Sequence, residues 1–332
     1  MKIAILGATG LVGRKMLSLL SEQDWVTEAP LLLASPRSAG ASQTFRGTEL
    51  VCQAVAAEHF EAVDLALFSA GGDPSRHWGP IATAKGAWVV DNSSAWRMDE
   101  ETPLVVPEIN GALVREIKNG PAQIIANPNC STIQIVQAVA PIDREFRVNE
   151  VQVTTLQAVS GAGQSAVAEL TQQNEGADRQ AASSFPRTMA HNVVPAIGAA
   201  APAGMFEEEE KVVQEMRKIM SRRNDLKVSC TAVRVPVYNG HSAAVRVVCD
   251  RPVDLETAHN VLSNWPGVIA EKDPHQFLTP LEMSGRHEVH VGRVRRDPDN
   301  PHALLMWVVA DNLLKGAALN AVQIAALIAA ED

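Results

Sequence analysis

Lys2-Ile3-Ala4-Ile5-Leu6-Gly7-Ala8-Thr9-Gly10-Leu11-Val12-Gly13 decides the fold. Five strand residues stop at a glycine turn, and from Leu11 to Ser21 the apolar positions recur at helical spacing. Glycines at such a turn let the backbone approach a pyrophosphate at a helix N-terminus, where free N–H groups face the anion. The spacing is GxxGxxG rather than GxGxxG, so a tight strand–helix turn that holds no ligand also fits.

Working outward, short apolar runs at 29–34, 65–69, 88–91 and 124–126 alternate with helical patterns through the first 130 residues. That alternation predicts parallel βαβ units in a Rossmann-type, doubly wound α/β sheet. The second strand closes in Leu33-Ala34-Ser35-Pro36-Arg37-Ser38-Ala39-Gly40. It lacks the carboxylate that holds the ribose 2′-hydroxyl of NAD. Arg37 and Ser38 could instead hold a 2′-phosphate, which predicts NADP(H); Arg37 as a solvated loop cation is the plainer alternative.

From about residue 148 the texture changes. Glu150-Val151-Gln152-Val153-Thr154-Thr155-Leu156 is β-branched and alternating, and 227–235, 243–248 and 288–292 continue the pattern. These predict antiparallel strands with one face buried, and helices at 164–174, 207–221 and 254–264 make the second domain α+β. The Gly/Ala/Pro-rich 196–204 stretch reads as a surface loop. A long Ala/Leu/Ile helix over 312–330 is expected to pack back on the first domain. The expected division is therefore 1–128 with 311–332 for the nucleotide, and 129–310 for catalysis and dimerisation.

Composition narrows the class. The chain has 332 residues, 46% hydrophobic and 20% charged, which suits a globular protein with a sizeable core. A net charge of −9 and the lack of a Lys/Arg block argue against nucleic acid as a partner. Cysteines at 52, 130, 230 and 249 have no metal-ligand spacing, so no metal is expected, and they suit a reducing cytoplasm. The sequence starts on a strand with no signal-peptide pattern, and no apolar stretch approaches the ~20 residues of a membrane span.

Cys130 is the strongest chemical candidate. It stands in Ala126-Asn127-Pro128-Asn129-Cys130-Ser131-Thr132, where a strand has ended and a helix is about to begin. A thiol there feels the positive end of the helix dipole, which favours the reactive thiolate; a small buried hydrophobe is the other reading. Gln157 ends a strand and leads into Ala158-Val159-Ser160-Gly161-Ala162-Gly163, a turn that could lie against a cofactor. Arg234 and His241 flank Val235-Pro236-Val237-Tyr238-Asn239-Gly240, and Arg97 follows a polar loop. Glu208 and Lys211 share a helix face. Each has a plainer alternative: a satisfied loop histidine, surface arginines, a solvated acidic run at 207–210. No spacing rule gathers them.

A resemblance does. The chain resembles the aspartate-β-semialdehyde dehydrogenase family across nearly its whole length. The match lies in the Gly7–Gly13 turn, the Ala34-Ser35-Pro36-Arg37-Ser38 loop and Asp91-Asn92-Ser93-Ser94-Ala95-Trp96-Arg97-Met98. It continues through Asn127-Pro128-Asn129-Cys130-Ser131-Thr132, Gln157 to Gly163, and Arg234-Val235-Pro236-Val237. It ends with Val291-Gly292-Arg293-Val294-Arg295 and Asp311-Asn312-Leu313-Leu314-Lys315-Gly316-Ala317-Ala318.

The resemblance implies an NADPH-dependent reductase of L-aspartyl-4-phosphate working through a cysteine thioester. Its place would be in lysine (through diaminopimelate), threonine and methionine biosynthesis, as a cytoplasmic homodimer. It assigns the nucleophile to Cys130, the general acid/base to His241 and the acyl-orienting amide to Gln157. The phosphate ligands fall on Arg97 and Asn129, the carboxylate ligand on Arg234, and the amine and phosphate pair on Glu208 and Lys211, with the glutamate ambiguous within 207–210. Cofactor contacts fall on Gly7, Thr9, Gly10, Leu11, Val12, Arg37, Ser38, Ser160, Gly161 and Asn312. Two departures touch none of these roles: Leu314 stands where the family often has Arg, and Leu156 or Trp96 where Phe or Tyr is common. Two alternatives remain, an N-acetyl-glutamyl-phosphate reductase-like enzyme and a non-catalytic NADP-binding protein.

Overall fold

Strand segments without one exposed residue build the centre of the first sheet: β1 (Ile3–Leu6), β6 (Leu65–Phe68) and β7 (Trp88–Asp91). Continuous burial of this kind is what a parallel sheet covered on both faces requires. The computed structural model describes every residue except 180, 181, 223, 224, 331 and 332. The chain divides into two units, Met1–Asn129 with Ala317–Asp332, and Cys130–Gly316. The expected boundary at 311 therefore moves to 317. Asp311 and Asn312 are tied into the second unit, where they accept from Asn239, Gly285 and Gly240. The expected first domain also included 331 and 332, which lie outside the described residues.

In the first unit β2 (Leu31–Ala34), β5 (Gln53–Ala54) and β8 (Ile124–Ala126) complete a six-stranded sheet of order β5-β2-β1-β6-β7-β8, every pair parallel. Counting only these strands, the order is 3-2-1-4-5-6, the doubly wound nucleotide-binding arrangement, which reverses direction between β1 and β6. Helices α1 (Leu11–Ser21), α2 (Gly72–Ala84), α3 (Pro107–Asn110) and α4 (Ala112–Ile117) connect it. A hairpin absent from the sequence reading, β3 (Ser42–Phe45) with β4 (Thr48–Val51), turns at Arg46-Gly47 with φ of 48° and 81°. It braces the glycine turn: the Gln43 amide donates to the Ala8 carbonyl at 2.8 Å. The C-terminal helix is Leu319–Ala329 and begins after a π-helical turn, Leu314–Ala318, so it is shorter than expected. It packs on α1, α3, α4 and β7, all in the first unit.

The second unit carries β9 (Val148–Gln157), β10 (Lys227–Arg234), β11 (His241–Cys249), β12 (Val268–Ala270), β13 (Val289–Asp297) and β14 (Asn300–Ala310) in the order β10-β9-β11-β14-β13-β12. Three inner pairs are antiparallel, as expected. The outer pairs, β10 with β9 and β12 with β13, are parallel, which corrects the reading of 227–235 as antiparallel. The connection from β9 to β10 holds α6 (Gln164–Asn174) and α7 (Glu207–Ile219), and a long helical crossover returns a strand in parallel. Helices α5 (Cys130–Phe146) and α8 (Leu255–Ser263) pack on the same sheet, and a short α9 (Pro280–Met283) precedes β13.

One buried residue organises the end of β8. Asn127, fully buried, donates its amide to Asn92 Oδ1 at 2.7 Å and to the Ala317 carbonyl at 3.2 Å. Its Oδ1 accepts from Asn320 at 2.7 Å, and its backbone carbonyl accepts Arg97 Nε at 2.9 Å. Asn320 also donates to the Val105 carbonyl at 3.0 Å. Asn320→Leu strands both acceptors in a dry site and is expected to cost about 1–3 kcal/mol. The urea midpoint should fall accordingly; an unchanged midpoint would refute the assignment.

Candidate active site

Register across three strands gathers residues that sequence spacing left apart. On β9 the inward row is Val151, Val153, Thr155, Gln157, apolar until its last two members. Parallel pairing sets Arg234 of β10 beside Gln157. Antiparallel pairing sets Ser242 of β11 beside Leu156, so one step further His241 falls opposite Gln157. Arg234, Gln157 and His241 thus form one row at one end of the sheet. All three are buried, at 6%, 1% and 0% exposure.

Each member is held by a neighbour. The Arg234 guanidinium donates to the Ala158 carbonyl at 2.7 Å, and the Ala158 N–H donates to His241 Nδ1 at 3.0 Å. The Gln157 amide is oriented from both sides. Its Oε1 accepts the Thr155 hydroxyl at 3.0 Å and its Nε2 donates to Glu208 Oε1 at 3.0 Å. Glu208 Oε2 faces Lys211 Nζ at 3.6 Å.

Geometry separates the acidic run. Glu209 is spent on structure, accepting the Phe206 N–H at 2.8 Å as a helix cap and the Ala232 N–H at 3.0 Å. Glu210 pairs with Gln214, and Glu207 stands against Gly198. Glu208 is the one of the four bonded to Gln157.

Cys130 is the first residue of α5 and is partly exposed. Its charge acts favourably on Arg234, as does that of Glu208. Burial nevertheless pulls the Arg234 guanidinium below its ordinary value, so the cation is under-compensated. Burial and the Arg234 charge also hold His241 well below the usual imidazole range, with the Gly240 carbonyl opposing. Gly161 leaves room for the Arg234 guanidinium and the His241 imidazole: a Cβ there would lie 3.0 Å from Arg234 Nη1 and 3.1 Å from His241 Nε2. Arg234 also lines a cavity of about 670 Å³ bounded by Arg187, Ser184, Phe185 and Phe206.

Ser160 and Asn312 form a brace. The Asn312 amide donates to Ser160 Oγ at 3.0 Å while its Oδ1 accepts the Gly240 N–H at 2.8 Å, next to His241. Sequence reasoning missed Asp311, whose carboxylate accepts from Asn239, Gly285, Leu313 and Leu314. An acidic residue just before an apolar helical run was the available signal. It also missed Thr155, the residue that fixes the Gln157 amide.

Arg97, Asn129, Arg37, Ser38 and the glycine turn belong to the first unit. Arg97 is buried and donates to the Asn127 carbonyl and, at 3.0 Å, to the Asn92 carbonyl; Asn129 is buried as well. Arg37 is exposed in a short 3₁₀ turn, Pro36–Ser38. Gly7 has φ of +87°, and a Cβ there would meet the Ser69 carbonyl oxygen at 2.3 Å, so the end of β1 passes too close to β6 for any side chain. Gly10 is exposed at the head of α1, and a Cβ on it would find one neighbour, Gly7 O at 3.4 Å. That open approach to a helix N-terminus fits a dinucleotide pyrophosphate.

Two family models match the chain: "Semialdehyde dehydrogenase, NAD binding domain" over residues 2–117, and "Semialdehyde dehydrogenase, dimerisation domain" over 139–315. The aspartate-semialdehyde dehydrogenase of Aquifex aeolicus is 46% identical, the match covering 99% of this chain and 98% of that one. That of Bacillus subtilis is also 46% identical, with 97% and 96% covered. Among solved structures, aspartate semialdehyde dehydrogenase II from Vibrio cholerae, complexed with ASA, has a TM-score of 0.92 at 41% identity over 98% of this chain and 97% of that chain. The Candida albicans enzyme with NADP has a TM-score of 0.78 at 25% identity, with 98% and 97% covered. The chain belongs to the aspartate-semialdehyde dehydrogenase family and is an oxidoreductase with a nucleotide-binding first unit and a mixed-sheet second unit.

Proposed function

We propose that the protein catalyses the reversible, NADPH-dependent reduction of L-aspartyl-4-phosphate to L-aspartate 4-semialdehyde and phosphate through a thioester on Cys130. The reading is carried by one observation: sheet register aligns Arg234, Gln157 and His241 in a single buried row, with Cys130 heading a helix packed on the same sheet. Similarity to curated relatives supports the substrate.

An under-compensated buried arginine is a ready partner for a carboxylate, which it grips bidentately. Glu208, beside Gln157, takes the substrate ammonium. Lys211, Arg97 and Asn129 take the phosphate. The Cys130 thiol gives its proton to His241 and the thiolate attacks the acyl carbon: an S–C bond forms, the bond from carbon to the phosphate oxygen breaks, and phosphate leaves with the electron pair and the proton that His241 received. Thiolates suit this because they are strong nucleophiles whose thioesters remain electrophilic. Gln157, its amide fixed by Thr155 and Glu208, orients the acyl group, and His241 serves as the general acid/base.

The dinucleotide supplies the hydride. Gly7, Thr9, Gly10, Leu11 and Val12 would hold its pyrophosphate, Arg37 and Ser38 its 2′-phosphate, and Ser160, Gly161 and Asn312 the nicotinamide side. NADP preference over NAD rests on Arg37 and on the lack of a carboxylate at the end of β2.

The enzyme works as a homodimer, as the matching dimerisation-domain model suggests. The partner covers the sheet face that α5 leaves open, where Thr154, Arg246, Leu305 and Trp307 line shallow pockets. Four free cysteines suit a cytoplasmic enzyme. Among the described residues no helix is long and apolar enough to cross a membrane.

Cys130→Ala should abolish phosphate-dependent reduction of NADP by aspartate semialdehyde, read at the nicotinamide absorbance. Turnover near the wild-type rate in that variant would sink the thioester route, and wild-type turnover of N-acetyl-glutamate semialdehyde alone would reassign the substrate. Gly161→Ala pushes a methyl against Arg234 and His241 and should lower kcat/KM about 100-fold without lowering Tm. An unaffected kcat/KM would remove Gly161 from the site.

A further inference from the structure

A cation stands at the head of α1 that the glycine pattern does not include. Arg14 is the fourth residue of that helix and is exposed. Its side chain folds back toward the helix start, where Nε donates to the Thr9 carbonyl at 3.0 Å. Its two Nη groups have no hydrogen-bond or ion-pair partner among the described residues. In the free protein that placement is unfavourable. Aligned peptide dipoles make the first turn of a helix positive, and a charged side chain there is better an anion. Nothing local offsets it: α1 has no acidic residue in its first turn, and its N-cap, Gly10, has no side chain to accept from the open N–H groups.

The peptide groups of the turn are arranged to the same end. Every carbonyl from Gly7 to Gly10 already accepts a proton. Gly7 takes the Gly10 N–H at 3.1 Å, and Gly10 takes the Arg14 N–H at 3.0 Å. Ala8 takes the Gln43 amide of the β3–β4 hairpin at 2.8 Å, and Thr9 takes the Arg14 guanidinium. The N–H groups of Gly7 and Ala8 are engaged as well, both on the Leu33 carbonyl of β2. The Thr9 N–H has no acceptor among the described residues. It shares a planar trans peptide with the Ala8 carbonyl, so the Gln43 bond on one side turns that N–H to the other. A ligand arriving here meets N–H donors and a guanidinium edge, which is the environment of an anion.

We infer that Arg14 is a ligand of the dinucleotide pyrophosphate, its Nε holding the turn through Thr9 and its Nη edge offered to the phosphate oxygens. This rests on the glycine turn being the nucleotide site, which the match to an NAD-binding-domain family model supports. It adds a cation to the pyrophosphate contacts proposed above, Gly7, Thr9, Gly10, Leu11 and Val12. A bound pyrophosphate answers the helix terminus and the guanidinium together, which accounts for two like charges kept side by side. Arginine suits the task because its planar fork can serve a carbonyl with one edge and an anion with the other. In a chain of net charge −9, an exposed guanidinium also supplies local attraction for an anionic cofactor. Arg37 has a separate duty, standing after β2 where the 2′-phosphate is proposed to lie.

NADPH binding to the full chain, followed by nicotinamide fluorescence without substrate, tests this. Arg14→Leu and Arg14→Gln should each raise Kd about tenfold, and Arg14→Lys should stay within about threefold of wild type. Glutamine keeps an amide that can donate to the Thr9 carbonyl, so wild-type affinity in Arg14→Gln overturns the inference and leaves Arg14 a brace of the turn. NADH, which has the pyrophosphate and lacks the 2′-phosphate, should lose the same factor; a loss confined to NADPH overturns the assignment. The penalty should shrink between about 0.05 and 0.5 M salt, because an exposed charge is screened, and a penalty independent of salt overturns it. Melting separates a ligand from a structural residue. Without nucleotide, Arg14→Leu should melt no lower than wild type, since it removes a cation from a positive helix end, and NADPH should raise its Tm less. A lower Tm without nucleotide together with an undiminished NADPH shift overturns the inference. Gly10→Glu is the control for the site itself. Gly10 has φ of −74° and ψ of 168°, so a side chain is tolerated there, and a carboxylate would repel the phosphates. If Gly10→Glu loses NADPH while Arg14→Leu keeps it, this inference alone fails. If Gly10→Glu keeps it too, the turn is not the nucleotide site and both readings fall.

Discussion

A single peptide group, that of Ala158, fixes the chemistry of the second unit. Its carbonyl holds the Arg234 guanidinium and its N–H holds the His241 ring, one from each neighbouring strand. Register supplies the rest. With β10 parallel and β11 antiparallel to β9, two strands end and one begins at the same level, and three polar residues meet where an apolar row would otherwise continue. A slip of one residue on β11 would turn His241 to the opposite face and bring Ser242 inward. The apolar inward row Val151, Val153, Ala243, Val245 and Val247, buried beneath α5, is what forbids that slip. Hydrophobic patterning far from the site therefore sets the geometry within it.

Burying an arginine and a glutamate is expensive unless their fields are answered. Here the answer is partial by construction. Glu208 divides its carboxylate between Gln157 and Lys211, and its charge acts favourably on Arg234 without cancelling the cost of burial. The guanidinium spends one donor on a carbonyl and retains planar donor capacity for a ligand. A site left short of negative charge in a dry environment favours an anion more strongly than a fully paired one would. That is how a chain of net charge −9 can offer a site to an anion.

Local chemistry was legible wherever one short segment carried it. The glycine turn, the strands β1, β6, β7 and β8, and Cys130 at a helix start all follow from punctuation and periodicity within about a dozen residues. Strand β14 was not, because Asn300-Pro301-His302 opens it with turn-like residues and the apolar run after it, Leu304 to Ala310, has no alternation. The hairpin β3–β4 is mostly exposed and polar, so no buried face marked it. The crossover that makes β10 parallel, and the choice of Glu208 among four adjacent glutamates, depend on tertiary packing to which a local pattern is blind. Asp311 left a local signal, capping the N–H groups of Leu313 and Leu314, but its bonds to Gly285 and Asn239, 26 and 72 positions away, carry no local pattern.

Each unit also keeps its chain ends together, and Cys130 is placed by that fact. In the second unit, whose ends are Cys130 and Gly316, a Cβ on Gly316 would lie 3.0 Å from the Cys130 Cβ. In the first, Asn127 near one end bonds the carbonyl of Ala317 at the other. Cys130 therefore sits where two backbone segments approach within a side chain's width, and the residue opposite it has none. The same closeness explains why Gly316 follows Lys315 in the motif Asp311-Asn312-Leu313-Leu314-Lys315-Gly316: a side chain there would press on Cys130, far earlier in the chain.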